Sequence, residues 1–138
     1  MANEQQNQLF AAAVDEAAML LEKQGEFFPF ALGMKQDGDI RVYSAFDGDE
    51  CPASTEVISQ LIDGLQQEAK SNKIIACAIA YEVSGQFGES TNSQSAICVA
   101  LEHKSSTPIT CFQPYELNES KYQGGNIVAQ EGDSNVFV

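Results

Sequence analysis

The only histidine of the chain, His103, lies between an acid and a base, in the order Glu102-His103-Lys104. Neighbouring residues of a strand point to opposite faces of a sheet, so Glu102 and His103 do not form an acid–base pair there. If Lys104 opposes Thr107 in a hairpin, His103 opposes Pro108, which offers neither an acid nor a nucleophile. We therefore predict no catalytic role for this histidine and no catalytic residue elsewhere.

The four cysteines do not have the spacing of a redox or zinc motif, because no C-x-x-C occurs. The same hairpin register makes Cys98 and Cys111 diagonal neighbours, which are about 7–8 Å apart and too distant for an unstrained disulfide. Buried thiols acting as small apolar groups are the better interpretation. Cys51 precedes Pro52 and a predicted helix, which favours a reactive thiolate, but the acidic residues around it oppose that charge.

Two short acidic segments, Asp37-Gly38-Asp39 and Asp47-Gly48-Asp49-Glu50, carry the oxygen ligands that calcium prefers. The 12-residue calcium loop with a terminal Glu is absent, and hairpin turn chemistry accounts for the first segment. No phosphate-binding glycine motif occurs either. We therefore predict neither a metal nor a cofactor.

The charge balance is strongly acidic: twenty Asp and Glu face seven Lys and Arg, which gives a formal net charge of −13. Such a charge keeps a protein soluble or attracts a basic partner. Nucleic acid and anionic membranes require clustered cations, and here the cations are scattered. We predict a protein partner, basic in charge, and no binding to nucleic acid or membranes.

The segment that begins Met1-Ala2-Asn3-Glu4 lacks the basic and apolar regions of a signal peptide. No stretch approaches 18 apolar residues. We expect a cytoplasmic protein whose cysteines remain thiols.

Hydrophobic spacing of four, three and four residues predicts a first helix over residues 3–24. Alternating apolar residues around Asp37-Gly38 predict a β-hairpin over residues 27–46, whose first strand, after Pro29, is an edge or begins late. A second helix over 55–71 follows, with Ser54 as its N-cap and Asn72 at its end. Later strands are predicted at 74–83, 95–103 and 108–113, with short ones at 126–128 and 135–138.

These elements predict one α+β domain over residues 1–138, in the order α-β-β-α-β-β-β, with residues 115–138 as a loosely ordered tail. We expect a mostly antiparallel sheet of five to six strands with both helices on one face. Over residues 3–113 this element order resembles roadblock and profilin-like domains, which implies a scaffold of small binding modules. Three segments also resemble a pattern in small uncharacterised bacterial proteins: Phe27-Phe28-Pro29-Phe30-Ala31, Asp37-Gly38 and Ala100-Leu101-Glu102-His103.

The two predicted faces of the sheet differ in the size of their side chains. Bulky residues suit a face covered by helices, whereas the other predicted face is small and apolar. We name five of its members the small-residue set and predict that they form a self-association face: Ala76, Ala78, Ala80, Cys98 and Ala100. The tail, a second copy of the chain or a different protein can cover such a face, so a homodimer is one expectation.

The sequence thus favours a non-enzymatic protein-interaction module, for example an immunity or inhibitor protein that neutralises a basic effector. We predict Asp47, Asp49, Glu50 and Phe87 as partner-facing residues. The alternative is a profilin-like domain that binds a small molecule or catalyses a reaction. This alternative predicts a pocket lined by Phe27, Tyr43 or Tyr81.

Overall fold

The computed structural model describes residues 4–25, 27, 29–43, 54–85 and 94–137. Within these ranges the protein is α+β, and the predicted order α-β-β-α-β-β-β is confirmed, with two more strands after it. The helices are α1 (Glu4–Gln24) and α2 (Ser54–Lys70). The strands are β1 (Phe30–Met34), β2 (Ile40–Tyr43), β3 (Ala76–Gly85), β4 (Gln94–His103), β5 (Ser106–Asn118), β6 (Lys121–Gly124) and β7 (Val128–Glu131).

Local chemistry sets several element ends as predicted. Gly38 adopts a φ of 89° in the turn between β1 and β2, where a side chain would be strained. The Asp37 carboxylate accepts a hydrogen bond from the Asp39 amide at 2.9 Å and stabilises the same turn. Asn72, with a φ of 59°, follows the end of α2. Strand β1 begins at Phe30, directly after Pro29, so the first strand begins late.

The strands form one seven-stranded sheet in the order β2-β1-β3-β4-β5-β6, in which β7 also pairs with β5. All of these pairings are antiparallel. The sheet exceeds the predicted five to six strands because β5 is 13 residues long and has two partners on one edge. Its first half, from Ile109, pairs with β7, and its second half, from Tyr115, pairs with β6.

The two helices lie on opposite faces of the sheet, so the prediction that both lie on one face is wrong. The buried side of α1 (Leu9, Ala13, Ala17 and Leu21) packs in one cluster with Ala78 of β3. The buried side of α2 (Val57, Leu61 and Leu65) packs in a second cluster with Cys77 and Ile79. Because consecutive residues of β3 point to opposite faces, the two clusters lie on the two sides of the sheet. No helix in the described part of the chain is long and apolar enough to cross a membrane.

The register explains this outcome. Ala78 pairs with Leu32 of β1 on one side and with Leu101 of β4 on the other. Residues that pair directly in an antiparallel sheet share a face, so each alanine of β3 lies between two large side chains. Ala76, Ala78 and Ala80 therefore form a row of small residues beneath α1, which we call the alanine row, and each is at most 1% exposed.

The small-residue set consequently does not share one face. Cys98 pairs with Tyr81 and Ala100 pairs with Ile79, so both lie on the face that carries α2, opposite the alanine row. The sequence interpretation placed the small residues of β3 and β4 on one face, and this was wrong. On each face of the sheet, a strand with small side chains lies next to a strand with large ones. Self-association itself stays a prediction.

A buried carboxylate holds the segment that follows β7. Glu102, 4% exposed, accepts hydrogen bonds from the backbone amides of Asn135, Val136 and Phe137 at 3.0–3.2 Å. Val136 is 2% exposed and joins the apolar cluster under α2. One side chain of β4 thus fixes three successive amides of the final described segment, which the sequence predicted as a short strand.

The alanine row yields a stability prediction. Ala78→Leu adds three heavy atoms where the side chain is 0% exposed, so we expect the free energy of unfolding in urea to fall by about 1–3 kcal/mol. Ala11→Leu is the matched control, because Ala11 is exposed on α1; its effect should stay within about 0.5 kcal/mol. Equal effects of the two substitutions would show that α1 does not cover Ala78.

The Glu102 contacts yield a second prediction. Glu102→Ala leaves three amides without their acceptor, so we expect a loss of about 1–3 kcal/mol and faster hydrogen exchange at residues 135–137. Glu102→Gln retains one side-chain oxygen acceptor and should give an intermediate exchange rate. Glu116→Ala, at an exposed carboxylate of β5, is the control. Unchanged exchange at Val136 in Glu102→Ala would contradict the assignment.

Candidate functional site

His103 connects the first turns of α1 to the sheet. Its Nε2 lies 2.6 Å from the Gln5 side-chain oxygen, and its Nδ1 accepts a hydrogen bond from the Ser105 amide at 3.0 Å. The Ser105 contact requires an unprotonated Nδ1, so Nε2 carries the proton and donates it to Gln5. Partial burial, followed by the charge of Lys104, lowers the pKa of His103. His103 also pairs with Ser106 rather than Pro108, because the β4–β5 register differs by one residue from the predicted one and shifts again between Leu101 and His103.

Cys77, Cys98 and Cys111 are free, buried thiols. Cys111 pairs with Val99, so Cys98 and Cys111 point to opposite faces. Burial raises the pKa of each of the three thiols. They are thus mostly uncharged at neutral pH, and Cys51 lies outside the described residues.

The predicted partner-facing residues Asp47, Asp49, Glu50 and Phe87 also lie outside the described residues. Asp37 and Asp39 form the β1–β2 turn. In the part of the chain that the structure describes, no group of three or more acidic, histidine or cysteine side chains could hold a metal ion.

The three aromatic residues predicted to line a pocket divide between the two faces of the sheet: Phe27 belongs to the cluster under α1, whereas Tyr43 and Tyr81 pack against the cluster under α2. Phe27 is 6% exposed and packs edge-to-face with Phe30, with ring centroids 5.9 Å apart. Burial, helped by a hydrogen bond with Cys98, raises the pKa of Tyr81 to about 12. Tyr43 lines a cleft of about 380 Å³ beside α2, and the other residues of that cleft are polar or glycine.

An apolar cleft lies elsewhere, between the N-terminal half of α1 and the β5–β7 pair. Its volume is about 530 Å³. We call it the α1–β7 cleft and define it by its lining residues: Asn7, Phe10, Leu101, Thr107, Ile109, Cys111, Ile127, Ala129, Gln130 and Glu131.

The widths of the two layers account for this cleft. A helix with its side chains is about 10–12 Å across, whereas strands are spaced about 4.8 Å apart. One helix therefore covers two to three strands, and α1 lies chiefly over β3 and β4. The first half of β5 and the whole of β7 continue the same face beside the helix. Ile109 and Cys111 of β5 are buried, each 7% exposed, whereas Ile127 and Ala129 on the β7 side of the cleft are exposed.

The register of β7 directs alternate residues into the cleft. Ala129 pairs with Cys111 and Glu131 pairs with Ile109, and all four line the cleft. Ile127, which precedes β7, is 53% exposed at its margin. Among the described lining residues, Glu131 is the only one with a charged side chain.

No sequence pattern predicted this site. Phe10 lies in the predicted first helix, but the strand predicted at 108–113 is shorter than β5, and the strand predicted at 126–128 only overlaps the start of β7. The short apolar run Ile127-Val128-Ala129 was a signal for a strand at this position. Nothing local to that segment indicated that β5 would be its partner.

A polar cluster lies farther along β5. Tyr115 donates a hydrogen bond to Glu82 and stacks on Tyr122, with ring centroids 5.6 Å apart. Burial raises the pKa of both tyrosines. The Tyr122 backbone amide donates to Glu22 of α1 at 2.9 Å, which fixes the C-terminal end of the helix over β6. This cluster connects α1, β3, β5 and β6. It lies on the face that carries α1, at the opposite end from the α1–β7 cleft.

No known protein family, curated protein or solved structure matches this chain. The likeness to roadblock and profilin-like domains therefore rests on element order alone. The function has to be argued from the site itself.

Proposed function

We propose that this protein is a binding module that holds a small apolar molecule in the α1–β7 cleft. The observation that carries the proposal is the cleft itself, about 530 Å³ in volume and lined mainly by apolar side chains. Pockets that bind small molecules typically measure about 300–1,000 Å³ and combine apolar walls with a few polar groups.

The arrangement of the lining supports a ligand with an apolar body. Phe10 of α1 and Ile109 of β5 contribute apolar surface from opposite walls. Asn7 and Thr107 supply uncharged hydrogen-bonding groups at the margin. Burying one methylene is worth about 0.8 kcal/mol, so a chain of several carbons is enough for measurable affinity.

Ile127 provides a direct test. Ile127→Asp removes apolar surface from the margin of the cleft and adds a charge, which disfavours an apolar ligand. For the uncharged probe octanol we expect about ten-fold weaker binding, since a loss of about 1.4 kcal/mol corresponds to a factor of ten. Binding can be measured by displacement of the neutral dye Nile red.

The matched control is Val42→Asp. Val42 is 56% exposed, close to the 53% of Ile127, and lies on β2 at the other edge of the sheet. This variant should bind octanol as the parent chain does. Equal loss of affinity in both variants, or no binding of octanol by the parent chain, would overturn the proposed function.

A second candidate function is interaction with a basic protein, as the sequence predicted. Its support is the net charge of −13 together with the small number of ion pairs among the described residues. Within the described residues one ion pair is present, between Lys73 and Glu68 at 3.7 Å. Uncompensated carboxylates leave a negative field that speeds encounter with a basic surface.

The acidic segment 47–50 offers the test of this second function. We expect a combined Asp47→Asn, Asp49→Asn and Glu50→Gln variant to retain less of a basic partner in affinity capture than the parent chain, because three charges are lost. The control variant carries Asp15→Asn, Glu16→Gln and Glu119→Gln, which removes three charges elsewhere. Capture of the same basic protein by both variants in equal amounts would contradict a role for segment 47–50.

A further inference from the structure

We infer that the α1–β7 cleft selects amphiphilic cations, with the ammonium group of the ligand beside Glu131 and its apolar body along β7. The inference rests on the proposed function and adds the chemical class of the ligand. It follows from one arrangement: a carboxylate lies at one end of an apolar cleft, and the described residues that line this cleft include no cation.

The order of residues along β7 supplies the geometry. Ile127, Ala129 and Glu131 all line the cleft, so one wall changes from a large apolar residue through a small one to an acid. At about 3.3 Å per residue, Ile127 and Glu131 are about 13 Å apart along the chain. An elongated ligand that follows this wall has apolar neighbours at one end and a carboxylate at the other.

The other charges near the cleft do not reverse this preference. The N-terminus of α1 carries about half a positive charge that fades within the first turn, and Glu4 in that turn opposes it. Lys104 is exposed in the β4–β5 turn and is not a lining residue. His103 has a lowered pKa and adds no full positive charge at pH 7.

The remaining lining groups are consistent with a cation. The thiol of Cys111 is uncharged at neutral pH because burial raises its pKa. Asn7 has a side-chain carbonyl oxygen that can accept a hydrogen bond from an ammonium group. The net charge of −13 also disfavours anionic amphiphiles, such as a carboxylate on the same apolar body.

Three probes with one apolar body and different head groups test the inference: octylammonium, octanol and octanoate. We expect octylammonium to bind about three- to ten-fold more tightly than octanol, and octanoate to bind most weakly. Displacement of Nile red at pH 7 and low salt gives the three dissociation constants. Added salt should weaken octylammonium binding and should not weaken octanol binding, because salt screens only the charged pair.

Glu131→Gln is the decisive variant, because it keeps the size of the side chain and removes the charge. It should reduce the affinity for octylammonium about three- to five-fold, and the affinity for octanol should not change. Glu116→Gln is the matched control: Glu116 is an exposed strand carboxylate outside the cleft, and its loss changes the net charge equally. The control should retain the full preference for octylammonium.

The outcomes separate the two proposals. If octanol and octylammonium bind equally well, and Ile127→Asp weakens the binding of octanol, the binding function holds and the selection of cations is wrong. Equal loss of octylammonium affinity in Glu131→Gln and Glu116→Gln would also overturn the role of Glu131, because the effect would then come from net charge alone. If no probe binds the parent chain, both proposals fail.

Discussion

The packing of α1 on the alanine row of β3 is the constraint from which most of the architecture follows. Alanine side chains between the larger residues of β1 and β4 leave a shallow depression along the middle of the sheet, and α1 lies over it. The helix contributes its own small residues, Ala13 and Ala17, to the same contact. The sheet has to provide a second apolar face for α2, and the odd-numbered residues Cys77 and Ile79 of β3 do so. Both faces of the first half of this central strand, residues 76–80, are therefore buried, as its continuous apolar sequence requires.

The position of the α1–β7 cleft is a consequence of where the helix lies. A helix centred on β3 and β4 covers the outer strands only in part: it contacts β5 and β6, whereas β7 continues the same face beside its N-terminal half. Because β5 is long, it pairs with β7 near its start and with β6 near its end. The Tyr115–Tyr122 stack and the bond from Tyr122 to Glu22 close the β6 end against the helix. At the β7 end, Gln6 of α1 donates a hydrogen bond to the Thr107 carbonyl of β5, and the cleft opens beside this contact.

Much of the secondary structure was predictable because its causes are local. The apolar stripes of both helices, the turn at Asp37-Gly38 and the helix end at Asn72 are encoded within a few residues. The face of each strand was not predictable in the same way, since it depends on which residues become partners. Ala78 could be assigned to either face until its partners Leu32 and Leu101 were known. The irregularity between Leu101 and His103, the burial of Glu102 and the pairing of Ala129 with Cys111 likewise depend on contacts between distant segments. The cleft is formed by α1, β5 and β7 together, so it could not be predicted from the sequence for the same reason.

The contacts of α1 also bear on how the chain reaches its native state. Gln5 bonds to His103, Gln6 donates to the Thr107 carbonyl, and Glu22 accepts from Tyr122, at sequence separations of 98 to 101 residues. The first helix of the chain thus completes its packing only when strands encoded about a hundred residues later have paired. Contacts of such long range require closure of large loops, which slows folding. During synthesis the apolar side of α1 emerges well before the strands that will bury it, so for that interval the helix is a substrate for chaperones or for aggregation.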